Sequence, residues 1–162
     1  MKNPGILILA VLFFIPAAGS RVFAHCEIPC GIHDDEARLN AIAEDILTIE
    51  KGMKQILELA KDPSGNANQL VRWVQNKDEH AERIKETVAD YFLSQRIQKP
   101  AEGSSAESRR VYDAQLEALH DLTVLAVKTK QTTDLKYVTE LRATLHAFRA
   151  LYRGDPKKTS AA

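Results

Sequence analysis

Apolar residues recur three and four positions apart along most of the chain beyond residue 35, which is the spacing of residues on one face of an α-helix. The pattern predicts four helices, from about Asp35 to Ala60, from near Asn68 to about Phe92, from about Ser105 to Lys130 and from Thr133 to about Tyr152. The polar stretches KDPSGN and QKPAEGSS interrupt the pattern after the first and second helices. No stretch alternates apolar and polar residues for long enough to predict a β-strand.

Each predicted helix has one apolar stripe, and the connections between the helices are short. Short connections force consecutive helices to run in opposite directions. We therefore expect an all-α fold, an antiparallel four-helix bundle with its core formed by the four stripes. The predicted core residues are Leu39, Ile42, Ile46, Ile49, Met53, Ile56 and Ala60 in the first helix, Leu70, Val74, Ala81, Ile84, Val88 and Phe92 in the second, Val111, Leu116, Leu119, Leu122 and Ala126 in the third, and Val138, Leu141, Leu145, Phe148 and Tyr152 in the fourth.

The segment before the bundle has the pattern of a cleaved leader. A basic start is followed by the apolar run ILILAVLFFIPAAG and by small or apolar residues up to Ala24, as in a secretory signal peptide. A membrane anchor needs about 20 consecutive apolar residues, whereas Pro16 and Gly19 interrupt this run. We expect a signal peptidase or maturation protease to cut after Ala24, so that the mature chain begins with His25 and keeps no stable membrane anchor. The protein would then be periplasmic or extracellular, or cytoplasmic if the leader is processed there.

Charge and the residues on the helices exclude several functions. The chain has 22 basic and 22 acidic residues and no long basic block, so nothing indicates a nucleic-acid partner. No Gly-rich phosphate loop, pair of Glu-x-x-His motifs or nucleophile elbow is present, which disfavours nucleotide, di-iron and hydrolase sites. The isolated Trp73, His120 and His146 are more typical of packing or of an exposed surface than of chemistry.

The candidate chemistry lies in the stretch HCEIPCGIHDD, which contains both cysteines of the chain, Cys26 and Cys30. In an exported protein the usual expectation is a disulfide between them. Such a bond would close only a very small loop and would stabilise the bundle little. A redox thiol pair is less favoured, because the spacing is Cys-x-x-x-Cys and no thioredoxin-like βαβ pattern accompanies it.

The third interpretation of this stretch is a metal-binding hook. A chain that begins His25-Cys26 offers an amine nitrogen, a peptide nitrogen, a thiolate and an imidazole, and Cys30 can supply a second thiolate. Two nitrogens and two sulfurs with an approaching imidazole suit a square-planar or square-pyramidal nickel or copper site. Tetrahedral zinc is a poorer match, because zinc does not favour a deprotonated amide.

The stretch HCEIPCGIHD resembles the nickel hook of the nickel-containing superoxide dismutases, whose mature chains begin His-Cys-x-x-Pro-Cys-Gly-x-Tyr. The stretch KDEHAERIKETVADYF, from Lys77 to Phe92, resembles the second helix of that family. The resemblance implies a four-helix bundle that assembles as a homohexamer, with one nickel ion per subunit bound after proteolysis. It also implies an oxidoreductase that converts superoxide to dioxygen and hydrogen peroxide by Ni(II)/Ni(III) cycling.

Carried over residue by residue, the resemblance implies that the catalytic metal site consists of His25, Cys26 and Cys30. Nickel would take the α-amine of His25, the amide nitrogen and thiolate of Cys26, and the thiolate of Cys30. The imidazole of His25 would be the axial ligand of the oxidised metal. Pro29 would constrain the backbone between the thiols, and Gly31 would let the chain pass close to the metal.

The chain departs from the family at residues expected around the metal. His33 stands where the family has a tyrosine, and an imidazole there can change its charge near physiological pH. Asn40 replaces a glutamate that orients the axial imidazole, and His80 replaces the arginine that accompanies this glutamate. Tyr91 matches a second tyrosine of the family near the site. Ordinary packing or exposure is the competing interpretation for His33, His80 and Tyr91.

These observations predict a leader at residues 1–24, a nickel-binding hook at 25–34, a four-helix bundle at 35–153 and a polar, disordered tail at 154–162. The predicted function is superoxide dismutation. The alternative is an exported nickel- or copper-binding module, or a disulfide-tied helical interaction protein, without turnover of superoxide.

Overall fold

The computed structural model describes residues 35–154. Its elements are α1 (Asp35–Leu59), α2 (Pro63–Glu86), a π-helix (Thr87–Arg96) that continues α2, α3 (Ala106–Gln131) and α4 (Lys136–Arg153). These described residues contain no β-strand, as the apolar spacing predicts. The predicted leader, the hook and residues 155–162 of the predicted tail lie outside the described residues.

The start of α2 differs from the sequence prediction. The helix begins at Pro63 and not near Asn68, because the stretch that ends α1 also caps the next helix. The Asp62 carboxylate accepts a hydrogen bond from the Gly65 amide at 3.2 Å, which satisfies one of the free amides at a helix start. Pro63 follows at the first helical position, where its missing N–H is not needed.

The start of α4 also differs, by three residues. The sequence pattern predicts a helix from Thr133, whereas α4 begins at Lys136. The Thr132 hydroxyl accepts from the Asp134 amide at 3.1 Å, and the Asp134 carboxylate accepts from the Lys136 amide at 3.0 Å. These bonds hold the preceding residues in a turn, since short polar side chains compete with helix formation in this way.

The helices form the predicted antiparallel four-helix bundle. In the described part of the chain, α1 packs against α2 and α4, and α3 packs against the same two helices. Opposite directions are visible in single contacts: the Gln115 side-chain amide, early in α3, donates to the Leu151 carbonyl near the end of α4 at 3.2 Å. Among residues 35–154, no helix combines the length and the apolar character needed to cross a membrane.

The core follows the predicted stripes through most of the bundle. The buried apolar side chains are Leu39, Ile42, Ile46, Ile49, Met53, Ala81, Ile84, Val88, Tyr91, Phe92, Ile97, Ala118, Leu119, Leu122, Ala126, Val138, Leu141, Leu145, Phe148 and Tyr152. The five residues predicted for the fourth helix are all among them. The predicted core is wrong near the connection between α1 and α2. Ala60, directly after α1, is exposed, and Val74 in α2 is 39% exposed.

The end of α3 explains this exposed part of α2. Lys77 is buried, and its ammonium group donates to the carbonyls of Thr129 at 2.6 Å and Lys130 at 3.0 Å. A cation at the C-terminus of a helix also interacts favourably with the helix dipole. Because α3 ends at Gln131, the residues of α2 before Lys77 extend past the end of α3. Val74 lies in that part of α2.

Replacing Phe92 by Ala is expected to lower the free energy of unfolding by about 3 to 5 kcal/mol, the usual range for a buried aromatic side chain. Phe92 is fully buried, and its ring makes edge-on contacts with Tyr91, Phe148 and Tyr152 at centroid distances of 5.1, 5.0 and 5.5 Å. Urea denaturation at one fixed protein concentration measures the change.

Leu93→Ala is the matched control for this prediction. Leu93 is the next residue of the same π-helix, and it is 42% exposed. Its loss should change the free energy of unfolding by no more than about 0.5 kcal/mol. Equal destabilisation by the two substitutions would show that the aromatic contacts of Phe92 do not hold this end of the bundle together.

Candidate functional site

The predicted metal ligands lie just before the first described helix. His25, Cys26, Cys30 and His33 are outside the described residues, so the structure does not describe the hook. Cys30 is separated from Asp35, the first residue of α1, by five positions. Five residues of chain span at most about 18 Å. Cys30 is therefore attached through a short stretch of chain to the end of the bundle where α1 begins.

Residues 35–154 contain no group of three or more His, Cys, Asp or Glu side chains that could hold a metal ion. Both cysteines of the chain lie before this range. Any thiolate metal site of this protein must therefore use residues of the hook.

Four polar side chains meet at the start of α1, and we call them the Asp35 cluster: Asp35, Tyr91, Arg96 and Tyr152. The Tyr91 hydroxyl donates a hydrogen bond to Asp35 Oδ1. Asp35 Oδ2 accepts from the Tyr152 hydroxyl at 2.5 Å and from Arg96 Nη2 at 2.6 Å. Arg96 Nε also donates to the Tyr152 hydroxyl at 3.2 Å. The cluster thus joins the start of α1 to the π-helix and to the end of α4.

The π-helix explains why Tyr91 and Arg96 reach the same carboxylate. These residues are five positions apart, which in an α-helix places side chains about 140° apart around the axis. In a π-helix the backbone hydrogen bonds join residues five apart, as in the bond from the Ile97 amide to the Phe92 carbonyl at 2.8 Å. Tyr91 and Arg96 are therefore one turn apart and lie on the same side. Most π-helices are single turns, often at functional sites, whereas this one is longer and spans ten residues.

The charges in the Asp35 cluster are balanced. Burial alone would raise the pKa of Asp35, but the hydrogen bonds from Tyr152, Tyr91 and Arg96 and the charge of Arg96 outweigh burial, so the pKa lies below its ordinary value. Burial, together with the hydrogen bond to Asp35 and its charge, raises the pKa of Tyr91 and of Tyr152 well above the ordinary value. At neutral pH the cluster therefore contains one carboxylate, one guanidinium and two neutral phenols.

A second cation lies over the Tyr91 ring. The guanidinium carbon of Arg38 is 5.7 Å from the centroid of that ring, which is within the range of a cation–π contact. Arg38 belongs to the first turn of α1 that follows Asp35. The phenol of Tyr91 is thus held between a carboxylate at its hydroxyl and a guanidinium over its face.

The structure separates the residues that the sequence predicts around the metal. Tyr91 lies in the Asp35 cluster, at the end of the bundle next to the hook. His80 instead pairs with Asp45, with its Nδ1 atom 2.6 Å from Asp45 Oδ1. Asp45 lies ten residues further along α1, which is about 15 Å along a helix axis. Burial raises the pKa of Asp45, and this outweighs the hydrogen bond from His80 and its charge.

Asn40 and His80 do not form a pair with each other. Asn40 Oδ1 accepts a hydrogen bond from Arg149 Nη2 of α4 at 2.9 Å, while His80 contacts Asp45. The glutamate and arginine that the resemblance implies at these positions are thus replaced by two side chains with separate partners. His120 and His146, which the sequence analysis discounts as chemical residues, are both exposed.

Sequence reasoning missed the roles of Asp35, Arg96 and Tyr152. Tyr152 is correctly predicted in the core stripe of α4, but that stripe gives no sign that its hydroxyl reaches Asp35. Asp35 occurs in the pair Asp34-Asp35, which is typical of a helix start. Arg96 belongs to no motif, and only the π-helix reveals where its side chain lies.

Comparison with protein families gives one match along most of the chain. A family model described as nickel-containing superoxide dismutase matches residues 20–155. This range includes the whole predicted hook and every helix of the bundle. Comparison of the chain with curated proteins and with solved structures gives no match.

Proposed function

The chain belongs to the nickel-containing superoxide dismutase family, and from this premise we propose that it removes superoxide at a nickel ion held by His25, Cys26 and Cys30. The family makes it an oxidoreductase that uses nickel and acts on superoxide. The observation that carries the proposal is that the matched range, residues 20–155, includes the hook sequence as well as the bundle.

The donor atoms of the hook fit nickel. After cleavage before His25, the α-amine of His25, the amide nitrogen of Cys26 and the thiolates of Cys26 and Cys30 give two nitrogen and two sulfur donors. Nickel(II) favours square-planar sites with such donors. The imidazole of His25 would be a further nitrogen donor.

Nickel held by these donors supplies a Ni(II)/Ni(III) couple, through which two superoxide anions and two protons give one dioxygen and one hydrogen peroxide. Anionic thiolate and amide donors stabilise the higher oxidation state, so the identity of the ligands is the main means by which this chain sets the potential. Thiolates exposed to peroxide are open to oxidation. His33, in place of the tyrosine of the family, is proposed to face the metal from the hook.

The remaining proposals concern maturation and assembly. We propose that the leader ends at Ala24, that the protein is exported, and that the mature chains form a homohexamer with one nickel ion per subunit. Edman sequencing of the purified protein identifies the first residue, and sedimentation equilibrium measures the mass of the assembly. A mature chain that begins at any residue other than His25 would exclude the α-amine of His25 as a ligand.

The mature chain from His25, loaded with nickel, is expected to bind one nickel ion per subunit and to accelerate the decay of superoxide. Metal analysis measures the first quantity, and pulse radiolysis measures the second. The same chain loaded with zinc, which has no redox chemistry, is the control and should leave the decay unchanged. Nickel bound without faster decay would favour the metal-binding module. A mass lower by two hydrogens with no metal would favour the disulfide.

A further inference from the structure

We propose that Asp35 is a positioning residue of the nickel site: its carboxylate, held by Arg96 and Tyr152, fixes the direction of the Tyr91 hydroxyl at the end of the bundle from which the hook departs. This inference rests on the proposed function, since it assigns Asp35 a role towards the hook. It goes beyond the ligands, because Asp35 acts through Tyr91 and does not touch the metal.

The Asp35 carboxylate is held in one orientation by its hydrogen-bond donors. Both oxygens of Asp35 are used: Oδ1 accepts from Tyr91, while Oδ2 accepts from Tyr152 and Arg96. A carboxylate with fixed donors on Oδ2 cannot rotate freely, so Oδ1 keeps one position. The hydrogen of the Tyr91 hydroxyl is then directed towards Asp35, and the oxygen lone pairs of Tyr91 remain as acceptors for other groups.

Arg96 and Arg38 offset the negative charge of Asp35. An unpaired carboxylate within about 18 Å of Cys30 would repel the superoxide anion. The Arg96 guanidinium, 2.6 Å from Asp35, cancels that charge, and Arg38 adds a positive charge over the Tyr91 ring. The charged groups that act on Tyr91 are Asp35 and Arg38 of α1 and Arg96 of the π-helix, and Tyr152 of α4 reaches the same Asp35 carboxylate. Asp35 can thus orient the phenol without making this end of the bundle negative.

Asp35 also connects the segment before α1 to the bundle. It is the first residue of α1 and is tied to the ends of the π-helix and of α4. The hook residues therefore leave the bundle from a fixed point. Tyr91 is attached to the same point, so the cluster sets the position of the phenol relative to the base of the hook.

The test compares Asp35→Asn with Glu36→Gln. Glu36 is the next residue of α1 and also joins α1 to α4, through ion pairs with Arg153 at 2.8 Å and with Arg149 at 3.4 Å. Both substitutions remove one negative charge from the first turn of α1 and weaken its contacts with α4. Only Asp35→Asn replaces the charged acceptor of the Tyr91 hydroxyl by a neutral amide.

The first measurement uses the metal-free protein, so it does not depend on turnover. Carbon-13 NMR of protein labelled at the Cζ atoms of tyrosine follows the ionisation of each phenol, with Tyr91→Phe to assign the signal. Removing the negative charge of Asp35 makes the phenolate less unfavourable. Asp35→Asn should therefore let Tyr91 ionise at a clearly lower pH, whereas Glu36→Gln should titrate as the wild type does.

The second measurement uses the nickel-loaded proteins. Asp35→Asn should keep its nickel but change the EPR spectrum of the oxidised metal and the pH dependence of superoxide decay. Its rate should fall about 10-fold, the lower end of the effect of removing a group that orients a metal site. Glu36→Gln should keep the wild-type spectrum and pH profile. Identical spectra and pH profiles for the two variants would overturn the proposal.

Failure of the proposed function gives a different result. If the wild type binds no nickel or does not accelerate superoxide decay, the function is wrong, while the NMR titration still tests the bond between Asp35 and Tyr91. If Asp35→Asn does not fold, Tyr152→Phe replaces it, since this change removes one donor to Oδ2 and leaves all charges in place. An unchanged EPR spectrum and pH profile in a folded Tyr152→Phe protein would then count against the proposal.

Discussion

A mature chain with one alanine added ahead of His25 is expected to lose superoxide dismutation, by more than about 100-fold, and to retain its helices. The loss should exceed the 10- to 100-fold effect of removing a group outside the ligand set, because an intended ligand is lost. The α-amine becomes a peptide nitrogen, whose lone pair is delocalised into the carbonyl. The bundle begins at Asp35, ten positions beyond the change, so circular dichroism at 222 nm should not alter.

Two controls separate the position of the added alanine from its mere presence. The same alanine added after Ala162 should leave activity unchanged. A protease site that ends directly before His25 should give an inactive chain that regains activity once the extension is cut off and nickel is added. An extended chain that is as active as the mature one would show that the amine is not a ligand.

The bundle was predictable because apolar periodicity reports which face of a helix is buried. The α4 stripe is the clearest case, since Val138, Leu141, Leu145 and Phe148 are all buried as predicted. Val74 was predicted in the α2 stripe and is 39% exposed. Periodicity defines a face of a helix, but it does not tell where the neighbouring helix ends.

The Asp35 cluster was not predictable, because it depends on the π-helix. The apolar residues Val88 and Phe92 are four apart in sequence, a spacing that fits an ordinary α-helix as well as it fits the π-helix. Only the change of hydrogen-bonding pattern puts Tyr91 and Arg96, five apart, on one carboxylate. Polar contacts between residues distant in sequence leave no periodic signal.

The hook, unlike the Asp35 cluster, is recognisable from its sequence alone. Its residues have a short and specific pattern, so the resemblance of His25, Cys26 and Cys30 to the nickel ligands is visible before any fold is known. Tyr91 matches the family pattern and also lies in the Asp35 cluster. His80 stands where the resemblance implies an arginine, and its partner is Asp45.

Replacing Cys26 or Cys30 by serine is expected to remove nickel and superoxide dismutation together and to leave the bundle intact. A serine hydroxyl is a poor substitute for a thiolate, because it stays neutral at physiological pH and lacks the anionic sulfur donor that nickel would bind. Among residues 35–154 the buried apolar side chains lie between Leu39 and Tyr152, and both cysteines precede this range. The free energy of unfolding should therefore change by no more than about 0.5 kcal/mol.

The comparison must use metal-free proteins, because a ligand that binds only the folded state raises apparent stability by itself. Urea denaturation of the reduced metal-free wild type and of each serine variant isolates the contribution of the thiols. A disulfide between Cys26 and Cys30 would close so small a loop that it too would add little, so the metal content and not the stability separates these two states. Nickel retained by either serine variant, or a stability loss of several kcal/mol, would contradict the hook and assign the cysteines a structural role in the bundle.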